Sequence, residues 1–134
     1  MATEFQVSLK NQPGSLAQLC TLLGDARVNI DALQGVSAGE ESLVRFVPND
    51  PDNAIRALEA GGVAFTQREV LIVEVLDQPG MLGDVALVMA DAGINIDSIY
   101  VTAEGRVVFG VDDLNGAIQV AAGMAVTESR DRPD

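Results

Sequence analysis

The chain has 134 residues, no histidine, and 8 Lys and Arg against 20 Asp and Glu, which gives a formal net charge of −12. Proteins bind phosphate backbones by releasing counterions to Lys and Arg, so this acidic balance argues against nucleic acid and anionic membrane surfaces as partners. The N-terminus lacks the basic start and apolar block of a secretory signal, and no apolar run approaches the ~20 residues that span a bilayer. A soluble, cytoplasmic protein is therefore predicted, and its single cysteine, Cys20, cannot form an internal disulfide.

The first two elements are predicted from a change in the spacing of the apolar residues. Phe5, Val7 and Leu9 alternate with polar residues, which indicates a half-buried strand. After Pro13 and Gly14 the apolar period becomes helical, which predicts an amphipathic helix. The predicted core-facing stripe of this helix consists of Leu16, Leu19, Cys20 and Leu23.

The next elements follow as two strands, a helix and a strand. The segments 28–38 and 42–47 are predicted to pair across a turn at Gly39 and Glu40. A helix enters through Asp50, Pro51 and Asp52 and ends on paired glycines. Residues 63–70 are predicted to close this unit as a last strand, so the element order is βαββαβ.

The chain then repeats itself. Gln12-Pro13-Gly14 returns as Gln78-Pro79-Gly80, 66 residues later, and the same shift carries Asn29 to Asn95. Beyond the predicted hairpin the best shift is 64, which pairs Val44 with Val108 and requires two residues to be lost from the loop. The prediction is a duplication broken near 69–70.

Three segments follow from the duplication: a first βαββαβ unit at 1–69, a second at 70–128 that opens with a strand at 71–77 and closes with a brief strand at AVTES, and a flexible tail at 129–134. The βαββαβ order predicts an α+β, ferredoxin-like fold with the helices on one face of an antiparallel sheet. Units of this size bury only roughly 60% of their unfolded surface, so further association, such as a homodimer, is expected.

The junction [N/D]-x-P-G-x-L after strand one, with Asn-Ile at the start of strand two, resembles the ACT domain, and each feature is present twice. The resemblance implies a regulatory module that binds a free amino acid and acts beside an enzyme of amino-acid metabolism. It also implies units that pair side by side into an eight-stranded sheet, with ligand at the seam. The ligand contacts that it implies come from Asn11, Gly14, Ser15, Leu16, Asn29, Ile30, Asp77, Gly80, Met81, Leu82, Asn95 and Ile96.

The physics of these positions agrees with the resemblance. The first N–H groups of a helix lack partners and favour an anion, and glycine lets a carboxylate approach them closely. Asn29 and Asn95 offer both a donor and an acceptor to a zwitterion. Because Asn11 can donate to a carboxylate whereas Asp77 repels one, the two sites are expected to differ.

Other interpretations stay open at this point. Pro-Gly can serve only as a tight turn, and Asn only as a partner for local backbone. A scaffold that oligomerises or binds a partner without any ligand is the alternative function. No nucleophile–base pair, metal-ligand cluster or cofactor motif can be assembled from the sequence, so a non-catalytic protein without cofactor or metal is predicted.

Overall fold

A computed structural model describes residues 2–124 of the chain. It divides into two compact units, Thr3–Arg68 and a second that begins at Glu69. The elements in chain order are β1 Ala2–Lys10, α1 Ser15–Asp25, β2 Ile30–Ala38, β3 Glu41–Pro48, α2 Pro51–Ala60, β4 Thr66–Val73, α3 Met81–Asp91, β5 Ile96–Val101, β6 Val107–Val111 and α4 Leu114–Ala122. The strand predicted at AVTES and the tail at 129–134 lie outside the described residues.

The first unit is built on an antiparallel sheet in which β3 pairs with both β1 and β2. Phe46 of β3 lies opposite Phe5 of β1 on one side and opposite Leu33 of β2 on the other. The Phe5 and Phe46 rings stack with their centroids 5.4 Å apart, and neither ring is exposed. Both helices pack on this face through Leu19, Leu23, Ala54, Ala57 and Leu58. The predicted arrangement of two helices on one sheet face is confirmed.

The second unit repeats the design. In its antiparallel sheet β6 pairs with both β4 and β5, and Phe109 lies opposite Leu71 and Ile99. Helices α3 and α4 cover the same face as Phe109, through Val85, Met89, Ala117 and Ala121. Two tandem α+β, ferredoxin-like units are therefore confirmed, the second as far as the structure describes it.

Strand β4 differs from the prediction. Residues 63–70 and 71–77 were expected to form separate strands, but Thr66–Val73 is one continuous strand across the boundary. No glycine, proline or other turn residue interrupts TQREVLIV, so nothing in that segment breaks the extended backbone. The described residues contain six strands: of the eight expected for the paired units, two are joined in β4 and the one predicted at AVTES lies outside the described residues.

The strand register corrects the repeat shift that was predicted beyond the hairpin. Phe46 and Phe109 occupy equivalent positions, so the shift after the hairpin is 63 and not the predicted 64. A one-residue error in a strand exchanges its two faces. The predicted pairing of Val44 with Val108 would have matched a helix-facing residue with one outside the helix-covered core; Val107 is the true counterpart of Val44.

The helix stripe was also only partly correct. Leu19 and Leu23 of α1 are buried, but Leu16 is 47% exposed and Cys20 is half-buried. The repeat equivalent of Leu16, Leu82, is 44% exposed as well. In the first unit Leu16 lines an open cleft beside β2 and β3 instead of packing into the core. Among the described residues, no helix has the length and apolar character needed to cross a membrane.

Candidate ligand site at the strand–helix junctions

Helices α1 and α3 begin in the same unusual way. Gly14 precedes α1 with φ 93° and ψ −17°, and Gly80 precedes α3 with φ 88° and ψ −14°. This left-handed conformation costs glycine little, because glycine has no Cβ to clash with the backbone. A Cβ built on either residue has no atom within 4 Å. Both junctions are therefore open above the glycine, as close approach of a ligand requires.

The start of α1 and of α3 is left without a side-chain cap. Neither glycine provides a side-chain cap, and within the described residues only the first N–H of each helix has a partner in the turn: the Ser15 N–H donates to the Gln12 carbonyl at 3.4 Å and the Met81 N–H to the Gln78 carbonyl at 3.2 Å. By contrast, Asp50 caps α2 through a 3.1 Å bond from the Asn53 N–H, and Asp113 caps α4 through a 2.9 Å bond from the Gly116 N–H. The fold thus caps the two helices that lie away from the Pro-Gly turns and leaves the two glycine-led helices open to an external acceptor.

Asn11 is held by the β2–β3 hairpin. Its side-chain Nδ2 donates to the Gly39 carbonyl at 3.1 Å, and its backbone N–H donates to the Glu40 carbonyl at 2.8 Å. This bond uses one of the two Nδ2 hydrogens, so the second hydrogen and Oδ1 remain for a further partner. The expectation that Asn11 donates to a carboxylate stays a prediction.

A cleft of about 410 Å³ lies between the start of α1 and the hairpin end of the sheet. Its lining residues are Leu9, Lys10, Asn11, Gln12, Ser15, Leu16, Leu33, Gly35, Val36, Ser37, Ser42 and Val44. Three of the predicted site residues, Asn11, Ser15 and Leu16, are brought together here, and Gly14 lies in the same turn. A second cleft, of about 660 Å³, shares Lys10, Gln12 and Ser15 and lies toward Gly61 and Gly62.

Asn29 lies at the other end of the first unit. Lys10 and Ala38 both pair with Glu41, whereas Ile30 pairs with Pro48, so strand β2 separates Asn29 from the junction by about 25 Å at roughly 3.3 Å per residue. The first unit by itself does not place Asn29 and Asn11 around one small molecule.

The structure gives the two asparagines a local role. The Asn29 N–H donates to Asn49 Oδ1 at 2.9 Å, and the Asn49 N–H returns a 3.0 Å bond to the Asn29 carbonyl. In the second unit the Asn95 N–H donates to Asp112 Oδ1 at 2.9 Å, and the Asp112 N–H returns a 3.2 Å bond. These reciprocal bonds join the start of one strand to the end of its neighbour.

Ile30 and Ile96, also among the predicted contacts, pack against the two cores. They face the helices from the same strand ends as the asparagines. Their contacts account for their apolar character without a ligand.

The two junctions differ in charge. Lys10 and Asn11 of the first unit correspond to Leu76 and Asp77 of the second. Helix α3 also carries Asp84 in its first turn, whereas the first turn of α1 contains no acid. The second junction therefore presents two carboxylates and no cation at the positions where the first presents a lysine and an amide.

Sequence reasoning missed Lys10, Leu33 and Gly35, which line the cleft. The period-two pattern of the strands could have identified Leu33 and Gly35, because both share the helix-facing side with Phe46. Among the described residues, no group of three or more Cys, Asp or Glu side chains is placed to hold a metal ion.

The ACT domain profile matches the chain twice, at residues 3–60 and 70–129. The fold is similar to protein BT0572 from Bacteroides thetaiotaomicron, with 24% identity over 94% of this chain and 90% of that one and a TM-score of 0.87. It is also similar to the ligand-free regulatory subunit of aspartate kinase from Thermus thermophilus, with 19% identity, coverages of 89% and 88%, and a TM-score of 0.66.

Aspartate kinase from Synechocystis is similar over 99% of this chain but only 26% of its own, with 18% identity and a TM-score of 0.69. A comparison with curated protein sequences found no match. The two family matches agree with the duplicated Pro-Gly junctions, the element order and the fold. The chain belongs to the ACT domain family and carries two ACT domains in tandem.

Proposed function

We propose that the chain is a non-catalytic regulatory module whose first unit binds a free amino acid at the junction from Lys10 to Leu16. The observation that carries the proposal is the uncapped start of α1 beside a cleft of about 410 Å³. That volume falls at the small end of the roughly 300–1,000 Å³ typical of small-molecule sites. An amino acid is a ligand of suitable size, and its two charged groups match the polar groups of the junction.

The carboxylate of the ligand binds at the start of α1. A helix N-terminus carries the equivalent of about half a positive charge and N–H groups without helical partners. Asp50 satisfies such groups at α2. At α1 the carboxylate of the ligand takes that place, close to Gly14, and the ammonium of Lys10 in the cleft lining adds a full positive charge.

The ammonium of the ligand is directed toward the hairpin. Asn11 Oδ1 is its acceptor, and the bond from Nδ2 to the Gly39 carbonyl holds the amide in place at the hairpin. Glu40 and Glu41, which line a groove with Lys10 and Asn11, provide negative charge on that side. The partial positive charge at the start of α1 and the acids at the hairpin orient a zwitterion in one direction.

The second junction is proposed not to hold a carboxylate. Asp77 and Asp84 flank the start of α3, and two anions near a third raise its free energy rather than lower it. Gly80, Met81 and Leu82 then serve the turn and helix alone. We expect one amino acid for each chain.

The regulated partner is proposed to be an enzyme of amino-acid metabolism, and the active form a homodimer. The ACT family is regulatory, and one similar structure is the regulatory subunit of an amino-acid kinase. The sequence contains no histidine, and its cysteine lies half-buried on α1, which is consistent with a module that has no chemistry of its own.

A ligand-independent scaffold is the second candidate, and strand β2 favours it. Within the described part of the first unit, β2 pairs along one side, with β3. Its segment from Ala32 to Ala38 contains no charge and no proline, and Val36 is 53% exposed. An edge of this kind is a template for strand pairing with another chain.

Thermal unfolding with each of the twenty amino acids separates the two candidates. A ligand at one hundred times its Kd adds about 2.7 kcal/mol of stability, which raises the Tm of a domain of this size by several degrees. A selective shift, with a calorimetric stoichiometry of one ligand per chain, is expected. No shift with any amino acid, together with a stable dimer in sedimentation, would establish the scaffold instead.

A further inference from the structure

The cleft at the first junction has an apolar wall that the carboxylate and ammonium of a ligand do not use. It is formed by side chains from three strands and the first turn of α1, namely Leu9, Leu16, Leu33 and Val44. Resting on the proposed function, we infer that the bound amino acid has an aliphatic side chain of about leucine size, which packs on this wall.

Exposure of the wall supports this assignment. Leu16 is 47% exposed and Leu33 40%, although both lie on a regular helix or strand. Single exposed apolar residues are common, but neighbouring ones that line one cleft mark a binding surface. An aliphatic side chain is the group that gains by covering them, since burial of apolar surface from both sides favours binding.

Gly35 provides the room. It lies in β2 on the helix-facing side, and a Cβ built on it would touch only the Val44 side chain, at 3.9 Å. The neighbouring Ser37 and Ser42, paired across β2 and β3, are also small. The floor of the cleft therefore lies at the backbone of the sheet, deep enough for a branched side chain between Leu16 and Leu33.

The lining also disfavours other classes of amino acid. Lys10 is its one charged residue, so the side chain of a basic amino acid finds no acid to pair with. An acidic side chain competes with the ligand's own carboxylate for the same ammonium. No aromatic residue lines the cleft to offer the stacked or edge-on contacts that favour aromatic ligands.

The second unit provides an internal contrast. Gly35 corresponds to Val101, and Ser15 corresponds to Met81. Both replacements add side-chain volume at the positions that open the first cleft. The substitution Gly35→Val thus introduces the residue that the duplicated strand carries already.

The test is titration calorimetry of the full chain with leucine, isoleucine and valine, compared with lysine, aspartate, serine and phenylalanine. At least a tenfold preference for an aliphatic amino acid is expected. Gly35→Val should weaken that binding at least tenfold and Gly35→Ala less. The fold should persist in both, because valine favours strands and meets no clash here.

The outcomes separate this inference from the proposal beneath it. Tighter binding of a charged, polar or aromatic amino acid, or unchanged leucine affinity in Gly35→Val with an unaltered Tm, overturns the aliphatic assignment and leaves an amino-acid site standing. If no amino acid gives a binding heat in calorimetry or a Tm shift in thermal unfolding, both the aliphatic assignment and the proposed amino-acid site are overturned.

Discussion

The two strand–helix junctions share a backbone and differ in chemistry. Gly14 and Gly80 agree in φ within 5°, both helices begin without a side-chain cap, and both expose a leucine in the first turn. Yet Lys10 and Asn11 stand where the second unit has Leu76 and Asp77. The duplication has kept what the turn needs and has changed the groups that a charged ligand would meet.

The hairpin beside each junction differs too. Asn11 of the first unit bonds the β2–β3 turn through both its side chain and its backbone. The second hairpin is three residues shorter, as the change of repeat shift from 66 to 63 shows, and it closes through a 2.8 Å bond from the Thr102 N–H to the Arg106 carbonyl. A duplicated fold can therefore hold one functional site and one that serves only the structure.

The largest expected effect comes from giving the first junction the charges of the second. The double substitution Lys10→Leu and Asn11→Asp removes one positive charge and adds one negative charge near the ligand carboxylate. Between unit charges about 4 Å apart the interaction runs from ~1 to ~4 kcal/mol near a protein surface, so we expect a loss of about 2 kcal/mol, close to 30-fold in Kd. Titration calorimetry with the preferred amino acid measures it.

The matched control is Leu76→Lys with Asp77→Asn, which gives the second junction the charges of the first. Affinity at the first junction should stay within about twofold, because the exchanged residues belong to the other unit. The first double variant lowers the net charge by two and the control raises it by two, so a gain in affinity in the control as large as the loss in the first variant would show that net charge alone governs binding.

A smaller effect, on stability, tests whether the backbone conformations at Gly14 and Gly80 are equivalent. Gly14→Ala and Gly80→Ala each force a Cβ into the left-handed region, where an L-residue costs roughly 1–2 kcal/mol. Neither Cβ meets another atom within 4 Å, so strain is the only cost and the two losses should be equal. Urea unfolding monitored by circular dichroism gives both values.

The same two variants are expected to differ in ligand affinity. Gly14→Ala narrows the approach to the first amides of α1 and should weaken binding, whereas Gly80→Ala should leave it unchanged. A variant pair with equal binding losses would place the ligand somewhere other than the first junction.

The smallest effect lies at the opposite ends of the same helices. Arg27 follows α1 with φ 64°, and its counterpart Gly93 follows α3 with φ 76°. Both helices end with the same pair of backbone bonds, from Arg27 to the Gly24 carbonyl and from Val28 to the Leu23 carbonyl in α1. Arg27→Gly should therefore stabilise the first unit by about 0.5–1 kcal/mol in urea unfolding.

Gly93→Arg is the reverse change in the second unit and should lower its stability by a similar amount. Both residues are exposed, so lost packing contributes little to either value. If the two helices end in the same way, the two substitutions change the stability in opposite directions. A change in the same direction in both variants would mean that the two helix endings differ.

Much of the fold could be predicted because its signals are local. Alternation in β1, the Pro-Gly turn before α1 and the Asp50-Pro51 entry to α2 each need only a few neighbouring residues, and each is confirmed. Gly14 and Gly80 were correctly placed at helix starts for the same reason. The two strands predicted at 63–70 and 71–77 had no turn residue between them, and β4 runs as one strand from Thr66 to Val73.

The site was less predictable, because it depends on residues far apart in the chain. The resemblance to the ACT domain made Asn29 a partner of Gly14, but within the first unit strand pairing carries it to the far end. Leu16 looked like core from its helical period, but it lines an open cleft and is exposed. The alternation of β2 could have placed Gly35 on the helix-facing side, but only the pairing of β2 with β3 places it in the cleft.

By itself the sequence determined the duplicated βαββαβ order, the glycine-led helix starts and the difference in charge between Lys10-Asn11 and Leu76-Asp77. The tertiary structure alone decided which face each strand residue occupies, that three residues are lost from the second hairpin, and that a cleft opens beside α1. The physical reason is range: backbone conformation and charge are properties of neighbours in the chain, whereas register and cavities depend on hydrogen bonds and packing between strands that meet only after folding.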